Sequence, residues 1–340
     1  MVVNKDYSIS VIRLFAMISI IACHMFQYFD NALCDWLNVG VQIFLCISGY
    51  LYGTRIKPES SSKYICKRFF RIYPEYLFVV VVAIILYFLF HSDYISLWLG
   101  LKMIICYDTV IGGGHLWYIP TILLCSLLSI FYWDIFTEKK KDKDIIVSFL
   151  MVFFIQILLF ESFFSYFNSA KINCFFIGFI IGFFHRAQKE RIYKIFISII
   201  LLLTVLTNSI QLIIELIYGS SVFSGILLGC YHRFCDYAHL LLGISLFVLI
   251  KLFFVNNNLE NTLFKTRKLL DFTDSISYEV YLIHQFIILG PFSMMSITNY
   301  LFVNILIIML IVLFVSYLLN RAYSMIQKQI SRIITKQITQ

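Results

Sequence analysis

Charged side chains are scarce in this chain. Asp, Glu, Lys and Arg make up 14% of its 340 residues, whereas 61% are hydrophobic and 18% aromatic. That deficit excludes a soluble globular domain of ordinary composition and points to an all-α, polytopic membrane protein. CxxC pairs are lacking too. None of the nine cysteines sits in one, which removes the usual sequence basis for a zinc or redox centre. Cys34, Cys106, Cys174, Cys230 and Cys235 fall on or near the outer side of the topology that the charges imply; a disulfide is chemically permitted there, and free buried thiols are the simpler expectation. The first apolar run has no small-residue cleavage site, so it is expected to be an uncleaved first span rather than a signal peptide. There is no internal repeat and no low-complexity tract beyond EKKKDKD, and no appended soluble domain is expected: residues 1–340 read as a single integral-membrane domain.

What is present is apolar length. Crossing a hydrocarbon layer of ~30 Å takes roughly 17 to 25 mostly apolar residues. Ten runs qualify: 9–29, 38–54, 74–91, 115–135, 145–161, 170–186, 192–208, 235–254, 276–295 and 298–320. With ten spans, the amino end, the carboxyl end and the even-numbered connections share one side, and that side holds all but four of the 27 basic residues. The exceptions are Lys102, Lys171 and Arg233 on the other side and Arg13 inside the first span. The positive-inside rule therefore places both termini in the cytoplasm, and it accounts for the net charge of +8 without a nucleic-acid partner. Residues 209–234, interrupted by Asn208, Glu215, Gly219 and Gly225, are expected to form an outer loop that dips back into the membrane.

Within the first run, VIRLFAMISIIACHMF carries Arg13 and His24. Eleven residues at 100° each make three turns plus roughly 20°, so both side chains leave one helix face, about 16 Å apart along the axis. Ionisable groups facing lipid cost several kcal/mol each, so this face is expected to look into the bundle or a wet cavity. Taken singly, Arg13 could snorkel to the inner boundary and His24 could be a hydrogen-bonded core histidine.

Other runs repeat the pattern. GVQIFLCISGYLYG contains Ser48 and Gly49, small enough for close helix approach, and Tyr50. KYICKRFFRIYPEY brings Lys67, Arg68 and Arg71 to helical spacing before Pro74, either as lipid-headgroup anchors or as a phosphate-binding patch. GGGHLWYIP sets His115 and Trp117 after a permissive glycine turn. DSISYEVYLIHQF spaces Ser277, Tyr281 and His284 four and three apart, a polar stripe suited to meet the Arg13 and His24 face. CYHRFCDYAH puts His232, Asp236 and His239 on one helical face; a polar cluster lining an entrance is expected there, and no metal.

Taken in order, RLFAMISIIACH, IFLCISGYLYG, RFFRIYP, HLWYI and SYEVYLIH resemble the signature of the membrane-bound acyltransferase family 3, whose members acylate cell-surface glycans and related acceptors. Two positions depart from it: Ser10 stands where many relatives have Asp, and Glu279 where Gly is common. The resemblance implies transfer of an acyl group, acetyl by default, from cytoplasmic acetyl-CoA to a hydroxyl of a lipid-linked or cell-surface polysaccharide at a bacterial inner membrane. It implies His24 as general base or as a transient acyl carrier, with Arg13, Arg68 and Arg71 meeting the donor's anionic end. Ser48, Tyr50, Tyr281 or His284 would serve the donor and the developing oxyanion, and His115, Trp117 and His239 the acceptor. Two rival readings stand beside it: a transporter or flippase of lipid-linked glycans, and a non-enzymatic structural or sensor protein whose polar spans hold the bundle together. Neither the acceptor nor the oligomeric state can be read from the chain.

Overall fold

A computed structural model describes residues 5–164, 166–217, 223–256 and 266–338, with side chains for all of these except 255–256 and 326–338. Gly219, Lys265 and the side chains of Lys328, Arg332 and Lys336 lie outside the described residues. The regular structure among the described residues is helical throughout. The helices are α1 (Tyr7–Tyr28), α2 (Leu33–Leu37), α3 (Val39–Gly53), α4 (Ser61–Phe90), α5 (Leu97–Ile104), α6 (Tyr118–Ile135), α7 (Asp142–Ser162), α8 (Ser169–Arg186), α9 (Glu190–Ile217), α10 (Gly225–Asn256), α11 (Arg267–Ile288) and α12 (Leu301–Ile338). Among the described residues, eight segments are long and apolar enough to cross a membrane: α1, the α2–α3 segment, α4, α6, α7, α9, α10 and α12. This is the architecture of a multi-pass membrane protein. α8 and α11 coincide with two further expected spans but fall outside that set: α8 has Lys171 and Arg186 in its end turns, and α11 carries Arg267, Lys268, Asp271, Asp274 and Glu279. α8 tolerates its charges because protein surrounds it: it is buried without a break from Ser169 to Phe184.

The chain forms two compact units, the first from residues 1–20, 35–66 and 121–265, the second from residues 21–34, 67–120 and 266–340. In the first unit α3 and α8 pack backbone to backbone. A Cβ on Gly49 would strike the Phe175 carbonyl, one on Gly53 that of Phe179, one on Gly178 that of Cys46 and one on Gly182 that of Tyr50. Two small-x-x-x-small pairs thus interlock, the arrangement that lets helices associate where hydrocarbon offers no hydrophobic drive. Tyr132, Phe136, Phe175, Phe176, Phe179 and Phe183 fill the space beside them. Near the start of α1, Asp6 pairs with Lys251 at 2.9 Å, and the same ammonium lies 4.4 Å from the Tyr50 ring centroid.

Among the described residues of 209–234, helix stands almost throughout where an outer loop dipping into the membrane was expected. α9 runs on to Ile217 and α10 begins at Gly225. Asn208 and Glu215, expected as interruptions, lie with Gln211 on one face of α9, three and four residues apart, and each meets a polar partner there. Asn208 Nδ2 donates to the Ala238 carbonyl at 3.1 Å, and Gln211 Nε2 lies 2.8 Å from Glu215 Oε1 and 3.1 Å from His239 Nε2. Trp36 Nε1 donates to Glu215 Oε2 at 3.2 Å.

In the second unit the segment between α4 and α6 folds back along α4. α5 folds down along α4: a Cβ on Gly100 would sit 3.6 Å from Ile84, and further along the Tyr76 and Tyr73 hydroxyls donate to the carbonyls of Met103 and Ile104. From Ile84 to Tyr73 is a descent of about 16 Å along α4. The segment then climbs again, because Tyr87 donates to the Ile111 carbonyl. α4 itself passes through Pro74 unbroken, starting well before the expected span. Proline leaves the carbonyl four residues back without its helical donor, and here Tyr323 supplies one, its hydroxyl 3.1 Å from the Phe70 oxygen. α11 also shifts against expectation, beginning earlier and ending at Ile288, since Gly290 adopts φ +81° and turns the chain. Of the nine cysteines, each is a free thiol.

The glycine interlock yields a stability prediction. Gly178→Ala must push α8 off α3 and should cost about 1–3 kcal/mol, seen as a lower thermal midpoint in detergent, whereas Gly229→Ala, with open space around its Cα, should leave the midpoint unchanged. Equal midpoints would refute the interlock.

Candidate active site

Three histidines meet in the second unit. His24 comes from the end of α1, His115 from the 3-10 turn Gly114–Trp117 that precedes α6, and His284 from α11. The ring centroids of His24 and His284 are 5.1 Å apart, and those of His115 and His284 4.9 Å.

Local backbone chemistry explains why His115 arrives there. Gly112 has φ +82° and lies so close to the turn after α11 that a Cβ would stand 2.6 Å from the Leu289 carbonyl. Gly290, also at positive φ, faces it from the other side, 3.0 Å from the Ile111 oxygen when given a Cβ. Only glycine fits both the dihedral and the space. The two turns therefore dock on each other, and His115 follows three residues later. The Tyr281 hydroxyl then holds the turn by donating to the His115 carbonyl.

Gln285 ties the cluster together. Its Oε1 accepts from the His115 backbone N–H at 2.6 Å and lies 2.6 Å from His115 Nδ1, while its Nε2 stands 3.4 Å from His24 Nδ1. His115 Nε2 is 3.1 Å from the Leu282 carbonyl. His24 Nδ1 is 2.9 Å from Gln27 Oε1, one turn on along α1. The shorter contact, to the Gln27 amide oxygen, is satisfied when Nδ1 carries the hydrogen and Nε2 the lone pair, whereas the longer one, to the Gln285 amide nitrogen, is satisfied by the opposite tautomer. His284 Nδ1 is bonded to the Val280 and Tyr281 carbonyls, at 3.0 and 2.8 Å, and its Nε2 has no hydrogen-bond partner although buried. Burial separates the roles. His115 and His284 are 4% and 1% exposed, whereas His24 is partly open. His24 is the member of the cluster that a ligand can reach.

The family comparison now has a structure to attach to. A model described as an acyltransferase domain matches residues 6–321. The chain belongs to acyltransferase family 3. No curated protein and no solved structure gives a match.

For this acyltransferase the structure brings together His24, His115, Tyr281 and His284, all expected site residues. Trp117 shares the turn with His115, its ring 6.3 Å from that of Tyr118, which in turn lies 5.0 Å from the Tyr281 ring. Arg68 and Arg71 lie on the first half of α4, Arg68 half-buried and Arg71 exposed. Arg13, Ser48, Tyr50 and His239 belong to the first unit. Tyr50 there packs against Lys251 and Phe247, and His239 sits between Gln211 and the Trp36 ring, 5.6 Å away. Asp236, grouped by sequence with His239, instead accepts from Asn168 at 2.8 Å and pairs with Arg233. Among the described residues, no group of three metal-ligating side chains forms. Ser277 donates only to the Asp274 carbonyl within its own helix.

Sequence reasoning passed over Gln285, Gln27 and one carboxyl pair. Gln285 follows His284 directly, and Gln27 lies three residues after His24, a spacing at which side chains on a helix touch; those were the available signals. Glu279, where family members often have Gly, forms a side-chain hydrogen bond with Glu75 of α4 and accepts from Asn320 Nδ2 at 2.5 Å. Both glutamates are buried, at 6% and 3% exposure, so Glu75 and Asn320 explain how a glutamate is housed at this position.

Because Gln285 orients rather than reacts, its loss should act on turnover. Gln285→Ala is expected to lower kcat about 10- to 100-fold, the scale of a misplaced reacting group, with KM changed less than about threefold. A KM effect alone, measured by steady-state acyl transfer in membranes, would assign it a binding role instead.

Proposed function

We propose that this protein transfers an acyl group, acetyl by default, from cytoplasmic acyl-CoA to a hydroxyl of a lipid-linked or surface glycan, with His24 as general base. The observation that carries the proposal is the setting of His24: its Nδ1 lies 2.9 Å from the Gln27 amide oxygen, a contact that favours a lone pair on Nε2, and it is the open member of a histidine cluster in an acyltransferase.

The chemistry then runs in one sequence. The acceptor hydroxyl donates its proton to His24 Nε2 as its oxygen attacks the thioester carbonyl. The tetrahedral adduct collapses with loss of the CoA thiolate, which takes the proton back from Nε2, so the imidazole ends as it began. His115, Gln285 and Tyr281 act as positioning residues, since their polar groups are spent on each other. The free Nε2 of His284 supplies a second acceptor nitrogen beside His24.

Topology gives the reaction its direction. Ten spans with both termini cytoplasmic put Arg68, Arg71 and the amino end of α1, with Arg13, on the side where acyl-CoA is found, and put His24 farther in. Guanidinium groups suit the phosphates of the nucleotide end. α8 and α11 complete the ten as spans shielded by protein rather than lipid. The setting proposed is a bacterial inner membrane.

Release of free CoA thiol separates this reading from a flippase, which would liberate none. Wild-type membranes given acetyl-CoA and acceptor should release thiol, and His24→Ala should slow release about 10²- to 10⁴-fold, the usual worth of a general base. Undiminished release by His24→Ala would contradict the assignment.

A further inference from the structure

A second feature of the same unit lies behind the histidines. Between α4, α11 and α12 is an open cavity of about 270 Å³, walled by Phe78, Val82, Ala83 and Leu86 of α4, Phe286 of α11 and Val315 of α12 among others. Its lining is hydrocarbon and aromatic. The phenolic oxygen of Tyr87, the single hydroxyl in the wall, is turned away onto the Ile111 carbonyl. Its volume approaches the lower end of small-ligand pockets, about 300 Å³.

Its rim says which solvent it faces. Phe78, Val82 and Leu86 are 49%, 40% and 39% exposed on a helix of membrane-spanning length and composition, so lipid hydrocarbon is what they meet. Close-packed interiors do not leave hollows of this size empty, and a hollow open to lipid fills with chain. Its extent along α4, from Phe78 to Tyr87, is about 14 Å, close to half of the ~30 Å hydrocarbon layer. That is the reach of a chain within one leaflet.

Its back wall says why this chain matters. Phe286 lines the cavity with one edge and packs edge-on against His115 on the other side, with ring centroids 5.6 Å apart at 80°. Ile283, also in the wall, directly precedes His284. At the Tyr87 end Phe292 and Met294 line the cavity, just past the Gly290 turn that docks on Gly112 and thereby sets His115. A headgroup leaving the cavity at that end emerges beside the histidine turn, one side chain from the cluster.

Resting on the acyl-transfer reading, we infer that this groove holds the hydrocarbon anchor of the acceptor, so that the substrate class is a glycan carried on a membrane lipid rather than a free sugar or finished polymer. The apolar groove fixes the chain and leaves the attached sugar's hydroxyl near His24.

The test uses the full chain in phosphatidylglycerol nanodiscs and in native membranes. A dodecyl glucoside bearing a diazirine in its chain should label α4 between Phe78 and Leu86 saturably, and excess unlabelled dodecyl glucoside should compete, whereas methyl glucoside should not. Val82→Trp and Leu319→Trp, each filling the groove, should cut labelling at least fivefold; Val147→Trp, on an exposed face of α7, should not. In native membranes, label from radioactive acetyl-CoA should enter a solvent-extractable lipid fraction and fall at least fivefold with the two groove variants. Labelling that does not saturate, or an extractable product unaffected by both groove variants, would overturn the inference. So would label found only in water-soluble or polymer fractions. Photolabelling needs no turnover, so a wild-type protein that labels in the groove but transfers nothing would count against the transfer reading and not against the groove.

Discussion

The side-chain amide of Gln285 holds more of this site than any other group. Its oxygen accepts from the backbone N–H of His115 and lies 2.6 Å from that ring's Nδ1, and its nitrogen stands beside His24. In an apolar bundle such bonds cannot be exchanged for water, and an unsatisfied buried polar group costs about 1–3 kcal/mol. The arrangement is therefore self-consistent or it does not form. Tyr281 and the Gly112 and Gly290 turns serve the same end, fixing a loop residue, His115, as firmly as a helical one. His24, the open member of the cluster, thus stands among constrained partners, the condition under which electrostatic and positional catalysis get their advantage.

The same economy governs the rest of the chain. Where helices meet without a hydrophobic drive, glycines bring backbones together, as in α3 and α8. Where polar residues lie inside a helix, they find one another: Asn208, Gln211 and Glu215 with His239 and Trp36, Tyr323 with the carbonyl freed by Pro74, Lys251 with Asp6 and Tyr50. Asp6 is instructive. The family often has an acidic residue three positions before Arg13; here that position is Ser10, and the acid nearer the amino end is bound to α10 instead. The amino end of α1 is thus held to α10 through Asp6 and Lys251.

Hydropathy made the long helices readable, because a run of about twenty apolar residues has few alternatives to a span. It also brought out His24, His115, Tyr281 and His284, each a polar residue too costly to leave facing lipid. It misplaced the point where the chain turns back. Asn208, Glu215 and the nearby glycines look like interruptions when read one after another; that Asn208 and Glu215 continue a helix is explained only by what they meet, the Ala238 carbonyl and Trp36. The true return, at α5, is held by tyrosine hydroxyls on carbonyls, and a carbonyl leaves no trace in the sequence. Gln285 was hidden for a related reason. A glutamine beside a histidine is ordinary until the fold shows that its two ends point to two other histidines.

The account rests on which nitrogen of His24 is free. Nitrogen-15 spectra of the histidine-labelled protein in nanodiscs, assigned with a His24→Gln variant, read this directly. The proposed base role predicts a neutral ring with hydrogen on Nδ1 and an unprotonated Nε2. A His24 signal with hydrogen on Nε2 would leave the ring without a base to offer, and would contradict the role given to it.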